Sequence, residues 1–76
     1  MIWKADEVRE FLKAKGFYLS HSKGDDEFWM NKNIGERGAL VIVPYRNEDI
    51  IFDTMSWMVK RSQIPKKDWN DWKKNR

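Results

Sequence analysis

The sequence predicts a single small α+β domain: a helix, three antiparallel strands and a second helix, closed by a short C-terminal helix. Three observations carry this. Apolar Val8, Phe11 and Leu12 recur at helical spacing and stop at Gly16. Period-two runs then flank a Lys23-Gly24 turn, and an apolar run over 39–43 ends at Pro44. Helical spacing returns with Met55, Met58 and Val59, before Pro65 opens a last short helix.

The first helix is expected over about 5–15. Glu7 and Glu10 lie early and Lys13 and Lys15 late, as the helix dipole favours. Trp3, just ahead of it, is expected to pack beside Val8 as a staple. Phe17, Leu19 and His21 alternate with Tyr18, Ser20 and Ser22, which makes 17–22 a half-buried strand. A second strand over 27–31 puts Phe28 and Met30 on one face and Trp29 on the other. The third strand, 39–43, is apolar on both faces and so is expected to be central or covered on both sides. After an irregular, charged connection over 45–53, Asp53 or Thr54 is expected to cap a helix over about 54–62. The last helix spans about 66–74, with Trp69 and Trp72 three apart on one side.

At 76 residues the chain can build one thin core. It has no Cys and a single His, so disulfides and thiolate or histidine metal sites are excluded and apolar packing must hold the fold. No cofactor is expected. No apolar run is long enough to cross a bilayer, and the first residues lack the apolar core of a secretion signal, so a cytoplasmic protein without a membrane partner is expected. The net charge of +3 is unevenly spread: residues 20–59 hold four basic and seven acidic groups, whereas 60–76 hold seven basic and two acidic.

The order of elements is also that of double-stranded RNA-binding domains. With Phe11-Leu12 before Gly16-Phe17, then Lys23-Gly24, Val43-Pro44 and Thr54-Met55 leading to Trp69, the chain resembles the HicA-like (YcfA-like) toxins, mRNA interferases that pair with HicB antitoxins. The resemblance implies a double-stranded-RNA-binding-domain-like fold with both main helices on one face of the sheet. It also implies that the catalytic histidine position, two residues after Gly24, is occupied here by Asp26.

Three groups of residues are candidates for chemistry. The acidic turn holds Asp25, Asp26 and Glu27. Aspartate is a weak base near neutral pH, and its acidic neighbours would repel a phosphate, so Asp26 is not expected to be an RNase catalyst. His21 could stand across the turn from Asp26 as a hydrogen-bonded pair, which makes these two the catalytic candidates; the competing readings are a solvated turn and a partly exposed strand histidine. The basic group is Lys23 with Lys60, Arg61, Lys66 and Lys67, set to follow a phosphate backbone while Trp69 or Trp72 stacks on a base. The competing reading is a solvated helix face. Third, five Trp in so small a chain cannot all be buried easily. Trp29, with Asp25, Asp26 and Glu27, is the expected protein interface.

These readings give three functions to separate. The first is a non-catalytic RNA- or protein-binding module of a toxin–antitoxin or phage or mobile-element system. The second is an active HicA-like interferase neutralised by a HicB-like antitoxin. The third is a phage-encoded inhibitor whose acidic surface occupies a host defence nuclease complex.

Overall fold

The structure, a computed structural model, describes residues 2–76. In chain order the elements are β1 (Trp3–Lys4), α1 (Ala5–Ala14), β2 (Tyr18–Lys23), β3 (Asp26–Asn31), β4 (Ala39–Pro44), β5 (Asp49–Ile50), α2 (Phe52–Ser62) and α3 (Lys66–Lys74). The domain is α+β as expected, with an antiparallel sheet in the order β2-β3-β4 and, among the described residues, three helices.

Alternation along β3 and β4 divides the sheet into a covered and an open face. Trp29, Asn31, Ala39, Val41 and Val43 point inward and are buried, packed with Val8, Phe11 and Leu12 of α1 and Met58 of α2. Phe28, Met30, Leu40 and Ile42 point the other way and keep partial exposure, Leu40 at 39%. The strand over 39–43 is therefore neither central nor covered on both sides. It is an edge strand, and β3 is the middle one.

Trp3 and Lys4 pair with Ile50 and Asp49 in a second, two-stranded sheet inside the connection expected to be irregular. This pairing fixes the start of α1: the Ala5 amide donates to the Glu48 carbonyl at 2.9 Å, and the Lys4 amide donates to Glu7 Oε1 at 3.0 Å. Trp3 is buried, and its neighbours are aromatic. Its ring meets Trp69 edge-on at 5.4 Å and stacks on Trp72 at 5.9 Å, while Phe11 lies 4.1 Å from Trp69. Such pairs contribute about 0.5–1.5 kcal/mol each beyond the area they bury. They fasten α3 across α1.

Both ends of α2 depart from expectation or strain the backbone. Ile51, not Asp53 or Thr54, stands at its N-cap without a side-chain bond, which puts Asp53 in the first turn where the dipole favours it. At the other end Gln63 closes the helix at φ +61, a left-handed conformation that costs a non-glycine residue stability. Ser62 organises the following turn. Its hydroxyl donates to the Val59 carbonyl at 2.7 Å and accepts from the Ile64 amide at 3.1 Å and Trp69 Nε1 at 3.2 Å.

Two measurements test this packing. Ser62→Ala leaves the buried Trp69 N–H and Ile64 N–H without their acceptor and is expected to lower unfolding free energy by about 1–3 kcal/mol in urea titration. The second concerns Glu7, which accepts from Lys73 at 3.1 Å and Arg76 at 2.9 Å. Burial pushes its carboxyl up, but the Lys4 amide, Lys73 and Arg76 outweigh this and hold its pKa below the ordinary 4.5. A depressed folded pKa means that this contribution is present above 4.5 and is lost as pH falls through the folded value. Glu7→Gln is therefore expected to be less stable than the natural chain at neutral pH and to lose less of its stability on acidification, read from urea midpoints.

Candidate functional site

The hairpin of β2 and β3 disperses the acidic turn. Lys23 opposes Asp26, so the loop is Gly24-Asp25, with Asp25 exposed in the turn. Asp26 lies on the open face. Glu27, one residue further, points to the covered face, where Arg9 of α1 donates to its Oε1 at 2.6 Å and Trp29 Nε1 donates to the same oxygen at 3.2 Å. The Arg9 side chain is only 13% exposed; it also reaches Asp6 and donates to the carbonyls of Pro44 and Tyr45. Glu27 is thus held in a structural ion pair and is no free acidic contact.

His21 does not face Asp26. Between Leu19 and His21 the ladder shifts by one residue, so Leu19 opposes Trp29 and His21 opposes Phe28. The extra residue, Ser20, forms a bulge that moves His21 off the face of Leu19 and onto the open face. There the imidazole stacks on the Phe28 ring at 4.4 Å and 7°, with Nδ1 3.1 Å from Ser20 Oγ. Among the described residues it hydrogen-bonds no carboxylate, so the paired acid and base expected across the turn are not assembled.

The tryptophans also sort differently from expectation. Trp29 is buried at 4% exposure because its strand face is the covered one, and Trp69 is buried at 1%. The exposed indole is Trp57 on α2, at 37%. It belongs to an open groove of about 720 Å³ that follows the free edge of β4, between Leu40 and Ile42 on one side and Trp57, Lys60 and Arg61 on the other. The Arg61 guanidinium sits 5.4 Å from the centre of the Trp57 ring, a cation–π contact of about 0.5–1 kcal/mol at an exposed position. Among the described residues no acidic side chain lines the groove.

The basic end divides in two. Lys73 and Arg76 fold back onto α1 through Glu7 and Glu10. Lys60 and Arg61 make no ion pair among the described residues and line the groove, complementing the negative end of the α2 dipole. Lys66 and Lys67 are exposed at the start of α3. Lys66 borders a separate apolar cleft between α2 and α3, whose rim carries Asp71 as well as Lys74. Lys23 stands at the far end of the hairpin, so it does not join the helix cations in one surface.

The floor of the groove is set by Gln63. Its Nε2 donates to the Gly38 carbonyl at 3.0 Å, which ties the end of α2 to the start of β4. Its Oε1 would lie 2.3 Å from any Cβ at position 35, so the loop over 32–38 needs Gly35 to approach. Sequence reasoning missed Trp57, Leu40, Ile42 and Gln63 as site residues. The available signal was Pro44, a residue compatible with an edge strand at an outward-facing position.

The chain matches no protein-family model, and no curated protein shows significant similarity to it. Among the described residues, no helix is long and apolar enough to cross a membrane.

The division between structural and free charges has a direct consequence. Glu27→Gln weakens the contact to Arg9 and is expected to destabilise the fold by about 1–3 kcal/mol, whereas Lys60→Gln is expected to stay within about 0.5 kcal/mol of the natural chain and Arg61→Gln, which loses the contact to Trp57, within about 1 kcal/mol. Urea midpoints of the three variants decide it.

Proposed function

We propose that this chain is a non-catalytic binding module built on a HicA-like, double-stranded-RNA-binding-domain-like framework, which holds an anionic partner in the groove between β4 and α2. It would serve in the cytoplasm, in a toxin–antitoxin or phage or mobile-element system, with RNA or a protein as partner. One observation carries the reading: an exposed Trp57 beside Lys60 and Arg61 in a groove that no carboxylate lines. A solvent-facing indole offers area for stacking or packing. The two cations draw in negative charge.

The open face supports a binding role over a catalytic one. Proton transfer to or from a ribose hydroxyl needs a base of near-neutral pKa free to reach it. His21 is stacked on Phe28, and Asp26 faces Lys23 across the hairpin.

Retention on immobilised heparin, a generic polyanion, tests the groove. The double variant Lys60→Glu/Arg61→Glu is expected to elute at lower salt than a double variant with the same charge change at Lys13 and Lys32. Equal shifts for the two would remove the groove from the account. Incubation of the purified chain with single-stranded RNA is expected to leave the RNA intact; cleavage abolished by His21→Ala would overturn the non-catalytic reading.

A further inference from the structure

The pairing pattern shows which backbone groups of β4 are unused. The Tyr45 amide donates to the Asp25 carbonyl at 2.7 Å, so Tyr45 belongs to the set that bonds β3. With Asp26 opposite Pro44 and Asn31 opposite Ala39, alternation assigns Val43, Val41 and Ala39 to the same set. The amides and carbonyls of Leu40 and Ile42 therefore point away from the sheet. Pro44 falls in this outward set, where its missing N–H costs nothing, and the outward carbonyl of Gly38 is taken by Gln63. Between these two ends, Leu40 and Ile42 leave a short run of free donors and acceptors that opens into the groove.

We propose that the groove takes an extended acidic peptide segment of a protein partner, which adds to the sheet as a strand along β4. This rests on the reading of the groove as an anion-binding site and names the partner's chemistry. Two features favour a peptide over RNA. Strand addition satisfies free backbone groups with a regular ladder, which a nucleotide chain cannot reproduce. The groove also joins apolar Leu40, Ile42 and Trp57 to cationic Lys60 and Arg61, which suits a strand whose alternate side chains are apolar and acidic. Charge argues against a second copy of this chain as the occupant: its β4 edge would bring the same cations with it.

The probe is a short fluorescein-labelled peptide alternating glutamate and valine, followed by anisotropy and by amide hydrogen exchange in nuclear magnetic resonance. Binding is expected to slow exchange at the Leu40 and Ile42 amides and to fall about tenfold in Lys60→Glu/Arg61→Glu. Ile42→Pro removes a free donor without touching the bonds to β3 and is expected to weaken binding by about two- to tenfold. The same peptide with alternate amides methylated asks the question without changing the protein, and is expected not to bind. Tight binding of the methylated peptide, or binding that leaves both amides unprotected, overturns the proposal. If the glutamate-valine peptide fails while an oligouridine shifts the resonances of Trp57, Lys60 and Arg61, the strand is wrong and the anion groove stands. If neither ligand perturbs the groove, both readings fall.

Discussion

The docking of α3 on α1 and β1 is the constraint from which the rest of the surface follows. A chain this short has no disulfide to close it and little apolar area to spare, so it brings its two ends together through aromatic rings. Trp3, Phe11, Trp69 and Trp72 form that contact, and Lys73 and Arg76 fasten it through Glu7 and Glu10. Three of five tryptophans and two of the basic residues beyond position 59 are spent in this way. Trp29 is spent in the main core. What α2 carries outward, Trp57 with Lys60 and Arg61, is set apart because neither contact recruits it.

A second ion pair explains why three consecutive carboxylates do not make an acidic site. In an extended strand, neighbours point to opposite faces, so consecutive acids cannot converge on one point without a turn. Here the turn takes Asp25, the open face takes Asp26 and Arg9 takes Glu27. Arg9 repays its partial burial by reaching two backbone carbonyls at the end of β4 as well, a geometry suited to the planar fork of its guanidinium. It joins α1 to the end of β4, as the aromatic cluster joins α1 to α3.

The helices were legible in the sequence, because spacing of Val8, Phe11 and Leu12, or of Met55 and Met58, is set by a period that burial enforces directly. The strands were legible as strands, and so was the division of Phe28 and Met30 from Trp29 across β3, but not which face the helices cover. A single bulge at Ser20 shifts His21 to the opposite side, and nothing in the local composition announces it. Likewise Leu40-Val41-Ile42-Val43 reads as buried on both sides, although its outward half stays open; an apolar run cannot distinguish a covered face from a binding face. The β1–β5 pair was illegible for another reason. It is two residues long, and its register depends on Trp3 entering a core that α3 completes from the other end of the chain.

The edge of β4 inherits an electrical direction from these contacts. At the Pro44 end lies the hairpin, with Asp26 opposite Pro44 and Asp25 bonded to Tyr45. At the Gly38 end, Gln63 holds the C-terminus of α2, and with it Lys60 and Arg61, against the start of the strand. Lys60 and Arg61 stand at one end without an ion pair among the described residues, whereas at the other Arg9, paired with Asp6 and Glu27, holds the Pro44 and Tyr45 carbonyls and Lys23 faces Asp26; a strand of about 20 Å is longer than the Debye length of roughly 8 Å at physiological salt, so the two ends act as separate fields. A strand added at this edge, as proposed above, would meet net attraction for its acidic residues near Leu40 and a surface of mixed charge near Pro44. Backbone pairing alone would accept a strand in several registers; the unpaired cations of α2 would favour those that place its acid beside Lys60 and Arg61.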